Sequence, residues 1–325
     1  MELKLASYAR SVSAVDLLNI IFIALISIIS IIYVPGAALW HVIAPINLGL
    51  CLAILFLGVA STQPRLRILR FLHDWYPVAL IFLLFKEVYL IMQSGRGDID
   101  QSLIAIDHWL FGVNPTVWLT RFSAPVLTEI LQLAYVSYYL LMITLAVELH
   151  LRGDLERFSF VMFTVTYGFF LSYFGYMLFP AVGPRLTLHT FGSINKELPG
   201  LYFTDALRSF LNSGESIPND VPNPIAVAQR DAFPSGHTQM TLIILYFAHL
   251  YRVKSRYVLY VVGTLLIIST VYLRYHYVVD LIGGVLFMAF TVWTAPKLFA
   301  WLKSWSVGTE RVNLHLEESA PASPE

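Results

Sequence analysis

The chain has 325 residues, of which 57% are apolar and only 13% are charged. That charged share is about half of what a soluble domain carries. Lysine plus arginine balance aspartate plus glutamate at 21 each, so the formal charge is zero. These figures exclude a disordered chain and a nucleic-acid partner held by bulk positive charge. A soluble domain this apolar would leave large greasy patches in water, so an integral membrane protein is expected. Cys51 is the single cysteine. It permits no internal disulfide and no cysteine-based metal site, and a lone thiol in an apolar run is read as inert.

A spanning helix needs about 20 mostly apolar residues. The first such run is 17–34, which is longer than a signal-peptide core and is read as a span. Further runs cover 44–60, 76–92, 127–149, 159–179, 237–251, 257–272 and 278–301, making eight spans, of which the sixth and seventh are short. Eight spans place both termini on one side. There the loops 61–75, 150–158 and 252–256 each carry two or three basic residues. By the positive-inside rule that side is cytoplasmic. Two long segments then face outward. Residues 93–126, with Trp109 and Trp118, suit a helix lying in the interface. Residues 180–236 are polar and rich in Pro, Gly and Asn, a length that marks a connection as functional or disordered. The chain therefore divides into two N-terminal spans (1–61), a core (62–304) and a cytoplasmic tail (305–325) expected to be disordered.

Chemistry collects in three stretches: 179–185 (FPAVGPR), 233–237 (FPSGH) and 274–280 (RYHYVVD). The first ends span five, the second opens span six and the third joins spans seven and eight. Parity alone brings all three to the outer membrane face. His276 and Asp280 are four apart and share a helix face. A carboxylate there can take the Nδ1 proton and leave Nε2 with a free lone pair, which makes His276 a nucleophile. Ser235 is a good N-cap, and the first turn it opens can hold an anion. Gly236 allows close backbone approach. His237 can then protonate a leaving oxygen. Arg185 and Arg274 can each clamp phosphate oxygens or anchor a headgroup. The set fits phosphoryl transfer through a phosphohistidine with no metal and no cofactor. A zinc site on His237, His276 and Asp280 is the competing arrangement, and the flanking arginines suit an anion better than a second cation.

At these residues the sequence resembles the type 2 phosphatidic acid phosphatase superfamily. Pro234-Ser235-Gly236-His237 matches the second family motif, and His276 with Asp280 matches the third, with Gly283 or Gly284 as its glycine. The resemblance implies an all-α membrane fold with a six-helix core built from spans three to eight. It also implies His276 as nucleophile, Asp280 as its orienting partner, His237 as acid, and phosphate contacts from Ser235 and Gly236. Three positions depart from the phosphatase pattern. Leu178 stands where a lysine is usual, Leu186 follows Arg185 in place of proline, and Thr270 stands where the third motif has arginine. The run around Arg274-Tyr275-His276, with Pro180 and Arg185 upstream, looks more like the branch that contains inositol phosphorylceramide synthase. That branch moves a phosphorylated headgroup between lipids.

The expected activity is therefore a lipid phosphotransferase at the outer face, with a phospholipid donor and a lipid or polyol hydroxyl as acceptor. With water as acceptor the same site is a phosphatase. A transporter would place charges at mid-membrane on paired broken helices, whereas this polar set lies at one face. Lys86 and Glu87 fall within span three and need separate partners, Glu129, Glu148 or a substrate phosphate being available to Lys86. Tyr135, Tyr138 and Tyr139 read as packing residues. His41, His73, His108, His150, His189, His249 and His315 show no partner spacing. Asp231 lies close enough in sequence to the second motif to touch the site.

Overall fold

The computed structural model describes residues 12–33, 40–63, 65–92, 97–215, 217 and 221–318, and for 307–318 the backbone only. Every regular element among them is helical. The long helices are α1 (Ala14–Tyr33), α2 (Trp40–Ser61) and α3 (Arg67–Met92). The interface segment forms α4 (Asp100–Phe111) and a one-turn α5 (Pro115–Trp118). After them come α6 (Pro125–Val136), α7 (Tyr138–Leu151) and α8 (Leu155–Leu178). The outer connection holds short helices α9 (Pro184–Thr187), α10 (Ile194–Glu197), α11 (Thr204–Gly214) and α12 (Pro224–Val227). The chain closes with α13 (Gly236–Leu250), α14 (Arg256–Tyr272) and α15 (Val278–Glu318).

Among the described residues, five helices are long and apolar enough to cross a membrane, or six if α6 and α7, bent by 49° at Ser137, form one broken span. α13 and α14 have 15 and 17 residues. At 1.5 Å per residue they reach roughly 22–26 Å, short of the ~30 Å hydrocarbon core. α15 continues past Trp305 to Glu318. The remainder of the expected tail, 319–325, lies outside the described residues, as does the N-terminal flank with Lys4 and Arg10.

Two compact units emerge. The first comprises Met1–Glu87, Met162–Tyr167 and Trp293–Glu325; the second comprises Val88–Val161 and Gly168–Val292. In the first, Ser13 and Asp16 cap α1 reciprocally, the Asp16 amide donating to Ser13 Oγ (3.1 Å) and the Ser13 amide to Asp16 Oδ2 (2.7 Å). This is a capping box with aspartate at its third position. The buried Asp16 also receives the Tyr76 hydroxyl (2.8 Å) and meets His73 Nε2 (2.9 Å), so His73 does have a partner. Glu87 accepts from Asn47 Nδ2 at 3.1 Å.

In the second unit α14 packs against both α13 and α6. Gln239, fully buried on α13, bonds Ser172 and donates to the Gly168 carbonyl and Thr291 Oγ1, both at 3.1 Å. Glu129 accepts from the Thr204 hydroxyl and the amides of Leu201 and Phe203 at 2.7–2.8 Å, which caps α11 and ties it to α6. Glu148 is held by Arg152 and by the Lys254 and Ser255 amides. Both carboxylates expected to serve Lys86 thus have other partners.

Candidate functional site

The three chemical stretches meet through backbone bonds before any side chain is considered. The Ala232 amide donates to the Ala181 carbonyl at 3.0 Å, joining the second stretch to the first. The Arg185 amide donates to the Arg274 carbonyl (2.9 Å), and the Ser235 amide to the Asp280 carbonyl (2.9 Å). Gly183 lies at φ +90°, and a Cβ there would come 2.7 Å from the Tyr275 carbonyl oxygen. Only glycine fits where those two segments cross.

The third stretch begins where α14 stops. Arg274, at φ +70°, takes the left-handed position after the helix, and the Tyr275 and His276 amides return to the Thr270 carbonyl at 2.9 and 3.0 Å. This helix ending usually uses glycine. A non-glycine residue there costs roughly 1–2 kcal/mol, and Arg274 is held by its carbonyl bond to Arg185 and by its side chain. α15 then starts at Val278. Its exposed N–H groups are taken by carboxylates: Tyr277 N by Asp280 Oδ2 (2.8 Å), Val278 N by Asp107 Oδ2 (2.9 Å) and Val279 N by Asp107 Oδ1 (2.8 Å).

His276 sits between these anchors, buried. Its Nδ1 lies 2.8 Å from the Ala232 carbonyl oxygen and 3.4 Å from Asp280 Oδ2. A carbonyl oxygen can only accept, so Nδ1 carries the proton and Nε2 carries the lone pair. Ala232 is the nearer partner of Nδ1, with Asp280 behind it. Burial pushes the His276 pKa down to about 4, the Arg185 charge adding to this and Asp231 opposing it. The ring is therefore neutral at physiological pH. Its Nε2 faces His237 Nδ1 at 3.4 Å. His237 is stacked on Tyr135, with ring centroids 4.6 Å apart, and tilted against Tyr138 at 4.4 Å. Tyr135 and Tyr138 form the wall that positions His237.

Ser235 caps α13, its Oγ accepting from the Thr238 amide at 3.2 Å. Gly236 is demanded by a neighbour, because a Cβ there would collide with the Tyr176 hydroxyl. Gly284 allows α15 to pass the Ser235 carbonyl, which a Cβ would approach to 2.6 Å.

The two arginines stand beside the histidines but have protein partners. Arg185 is ion-paired with Glu215, donates to Asn212 Oδ1 (3.2 Å) and lies over the Tyr275 ring at 4.7 Å. Arg274, 1% exposed, reaches Glu197 Oε2 (2.5 Å) and Thr120 Oγ1 (3.3 Å). The Ser193 hydroxyl and the Arg274 guanidinium hold Glu197 below its ordinary value. The 180–236 connection is thus tied by charge to the residues around His276. None of the three departing positions supplies a cation: Leu178 is exposed at the end of α8, Leu186 packs with Val182, Ile217 and Ala228, and the Thr270 carbonyl holds the His276 turn.

Sequence reasoning passed over Asp100 and Asp107. They are seven apart on α4 and both buried, 3% and 1% exposed. Asp100 accepts from the Val182 and Gly183 amides (3.0 and 2.9 Å) and the Tyr277 hydroxyl (2.8 Å). Burial pushes the Asp107 carboxyl up, while its two amide bonds pull it back. The exposed side of α4 mixes Gln101, Ser102 and His108 with apolar residues, Trp109 being 81% accessible. Two acidic residues at i and i+7, sharing one face of the helix with Leu103, were the available signal. No group of three His, Cys, Asp or Glu side chains among the described residues is arranged to hold a metal ion.

Residues 101–294 match the profile of the PAP2 superfamily. A PA-phosphatase related-family protein of Dictyostelium discoideum is 27% identical over 219 residues, which is 62% of this chain. The chain spans 37% of the length of that relative. No solved structure matches.

Proposed function

The chain belongs to the PAP2 superfamily, and on that footing we propose that it is a multi-pass membrane enzyme that transfers a phosphoryl or phospho-headgroup group between lipids through a phosphohistidine on His276. The observation that supports this most directly is the His276 ring. Its Nδ1 proton is committed to the Ala232 carbonyl (2.8 Å), and its bare Nε2 faces His237 across 3.4 Å. In the first step Nε2 attacks phosphorus in line, the N–P bond forms and the P–O bond to the leaving group breaks. Protonated His237 gives its proton to the departing oxygen. In the second step neutral His237 takes the proton from the acceptor hydroxyl, that oxygen bonds phosphorus and the N–P bond breaks. His237 yields its place against Nε2 when substrate enters, since phosphorus must occupy the in-line position. Ser235, Gly236 and Arg185 are the groups assigned to the phosphate oxygens, and Arg274 to holding the His276 turn in place.

We assign the inositol phosphorylceramide synthase-like branch on two grounds: the missing lysine, proline and arginine at Leu178, Leu186 and Thr270, and the Arg274-Tyr275-His276 run. We read eight spans with cytoplasmic termini and an exoplasmic, lumenal or periplasmic site. The name of the Dictyostelium relative favours a second reading, hydrolysis of a lipid phosphate with water as acceptor. A partition assay decides. Purified protein receives a labelled phospholipid donor, with and without ceramide, diacylglycerol and polyol acceptors. A transferase consumes donor faster when its acceptor is present and moves label into a lipid product. If free phosphate or phospho-headgroup dominates with every acceptor, the phosphatase reading stands. If acid-labile phosphate never appears on wild-type protein in a single turnover, both readings fall.

A further inference from the structure

Arg208 is a third arginine beside the site, and neither the motifs nor the reaction steps use it. It lies on the inward face of α11, where Thr204, Arg208 and Leu211 recur at i, i+4 and i+7. That face is fixed, because Glu129 caps α11 from α6. Arg208 is 5% exposed. Its Nη1 donates to Asn195 Oδ1 at 3.1 Å, and its Nη2, sealed from solvent, donates to nothing. Arg185 and Arg274 each have a carboxylate partner, Glu215 and Glu197. Arg208 has no carboxylate within 4.0 Å among the described residues; Asp205, one turn back, is exposed and too far to pair. The ionisable groups within its electrostatic reach are Tyr275, Asp205, Arg274 and Tyr272, so it stands alongside the turn that carries His276. Burial first, and the Arg274 charge after it, push the guanidinium below its ordinary value.

A buried cation without a counter-ion costs several kcal/mol, a cost that a bound anion would relieve. A planar guanidinium whose Nη2 hydrogen-bonds to nothing suits a phosphate oxygen. Tyr202 and Phe203, just ahead of that helix, and Phe210 on it are exposed, aromatic groups suited to headgroup depth. We propose that Arg208 and Asn195 form an anion subsite, separate from the His276 phosphate position, that receives the phosphate of a phospholipid headgroup. This rests on the lipid-transfer reading only for the choice of probe.

The test uses the full chain carrying His276→Ala, so that no probe is turned over. Thermal stability is measured against dioctanoyl phosphatidate, dioctanoylglycerol and inorganic phosphate, with Arg208 intact or replaced by Met or Lys. A ligand that binds only the folded state stabilises it by RT ln(1 + L/Kd), L being its free concentration, and so raises Tm. Phosphatidate should stabilise the Arg208 protein, and Arg208→Met should weaken its apparent Kd by at least tenfold, with Arg208→Lys between. Dioctanoylglycerol should not respond to residue 208. An Arg208-dependent shift with inorganic phosphate as well would make free phosphate the source in place of the lipid headgroup and overturn the lipid assignment. The ligand-free Tm separates a ligand role from a structural one. Removing an unpaired buried charge should leave that Tm unchanged or higher. A lower ligand-free Tm for Arg208→Met with an undiminished phosphatidate shift would overturn the proposal. Because His276 is absent throughout, a failed phosphohistidine assay in the wild-type enzyme would leave this result standing.

Discussion

Asp107 offers the sharpest test of how the His276 turn is built. Its two carboxylate oxygens accept the Val278 and Val279 amides at 2.9 and 2.8 Å, and the side chain is 1% exposed. Asp107→Ala leaves both amides without a partner. A buried donor left unsatisfied costs about 1–3 kcal/mol, so the pair amounts to about 4 kcal/mol. At roughly 2–4 °C per kcal/mol, Tm should fall by roughly 8–16 °C. Asp107→Asn is nearly as harmful, because its single carbonyl oxygen serves one amide and its NH2 group confronts the other. Turnover should fall further than stability explains. Val278 is two residues from His276, and a nucleophile misplaced by about 1 Å loses about 10²-fold in rate. The assays are a thermal melt in detergent and single-turnover formation of phosphohistidine. Gln101→Ala, on the exposed side of the same helix, is the control and should leave both readouts unchanged. An Asp107→Ala protein that melts within about 2 °C of wild type and forms phosphohistidine at the wild-type rate would refute the clamp.

Sequence pattern reached the histidines and stopped short of what holds them. Ser235, His237, His276 and Asp280 were readable because each lies in a short run whose chemistry is local: a cap, a first turn, an i to i+4 pair. Their convergence was readable because span parity assigns loops to faces without any knowledge of packing. Asp100 and Asp107 were not readable, because each serves backbone amides more than 80 residues away, and no local rule links a carboxylate to a distant helix start. The same holds for the Ala232 carbonyl, since a main-chain oxygen leaves no mark in the residue alphabet. Arg185 and Arg274 were legible as cations and not as ion-pair partners, because Glu215 and Glu197 approach them only through the folding of the 180–236 connection. The length of α13 and α14 was under-determined for a simpler reason: apolar composition marks a segment as buried but does not say where its helix ends.

Four further outcomes follow from the same geometry. Because burial lowers His276 to about 4, its neutral, nucleophilic form persists down to that pH. The acid limb of phosphohistidine formation should lie near 4, well below the 6.5 of a free imidazole, and a limb near 6.5 would contradict the burial. His237→Ala should slow transfer from an alkyl phospholipid far more than from a nitrophenyl ester, whose leaving group needs little protonation; equal losses would remove His237 from the acid role. A cysteine at the exposed Ser213, with Cys51 replaced, should react with a membrane-impermeant thiol reagent on intact cells, whereas labelling only after lysis would reverse the topology. Asp280→Asn should be milder than the roughly 10⁴-fold loss that follows when a triad carboxylate alone sets the tautomer. Here the Ala232 carbonyl holds the Nδ1 proton at 2.8 Å, against 3.4 Å for Asp280. An asparagine oxygen still accepts the Tyr277 amide and keeps the start of α15. What is lost is the negative charge that balances the imidazolium formed when Nε2 bonds phosphorus, so kcat should fall about 10–10²-fold with little change in Tm. Asp280→Ala removes the amide bond as well and should lower both. A loss of 10⁴-fold in Asp280→Asn at unchanged Tm would mean that Asp280, and not the Ala232 carbonyl, sets the tautomer of the nucleophile.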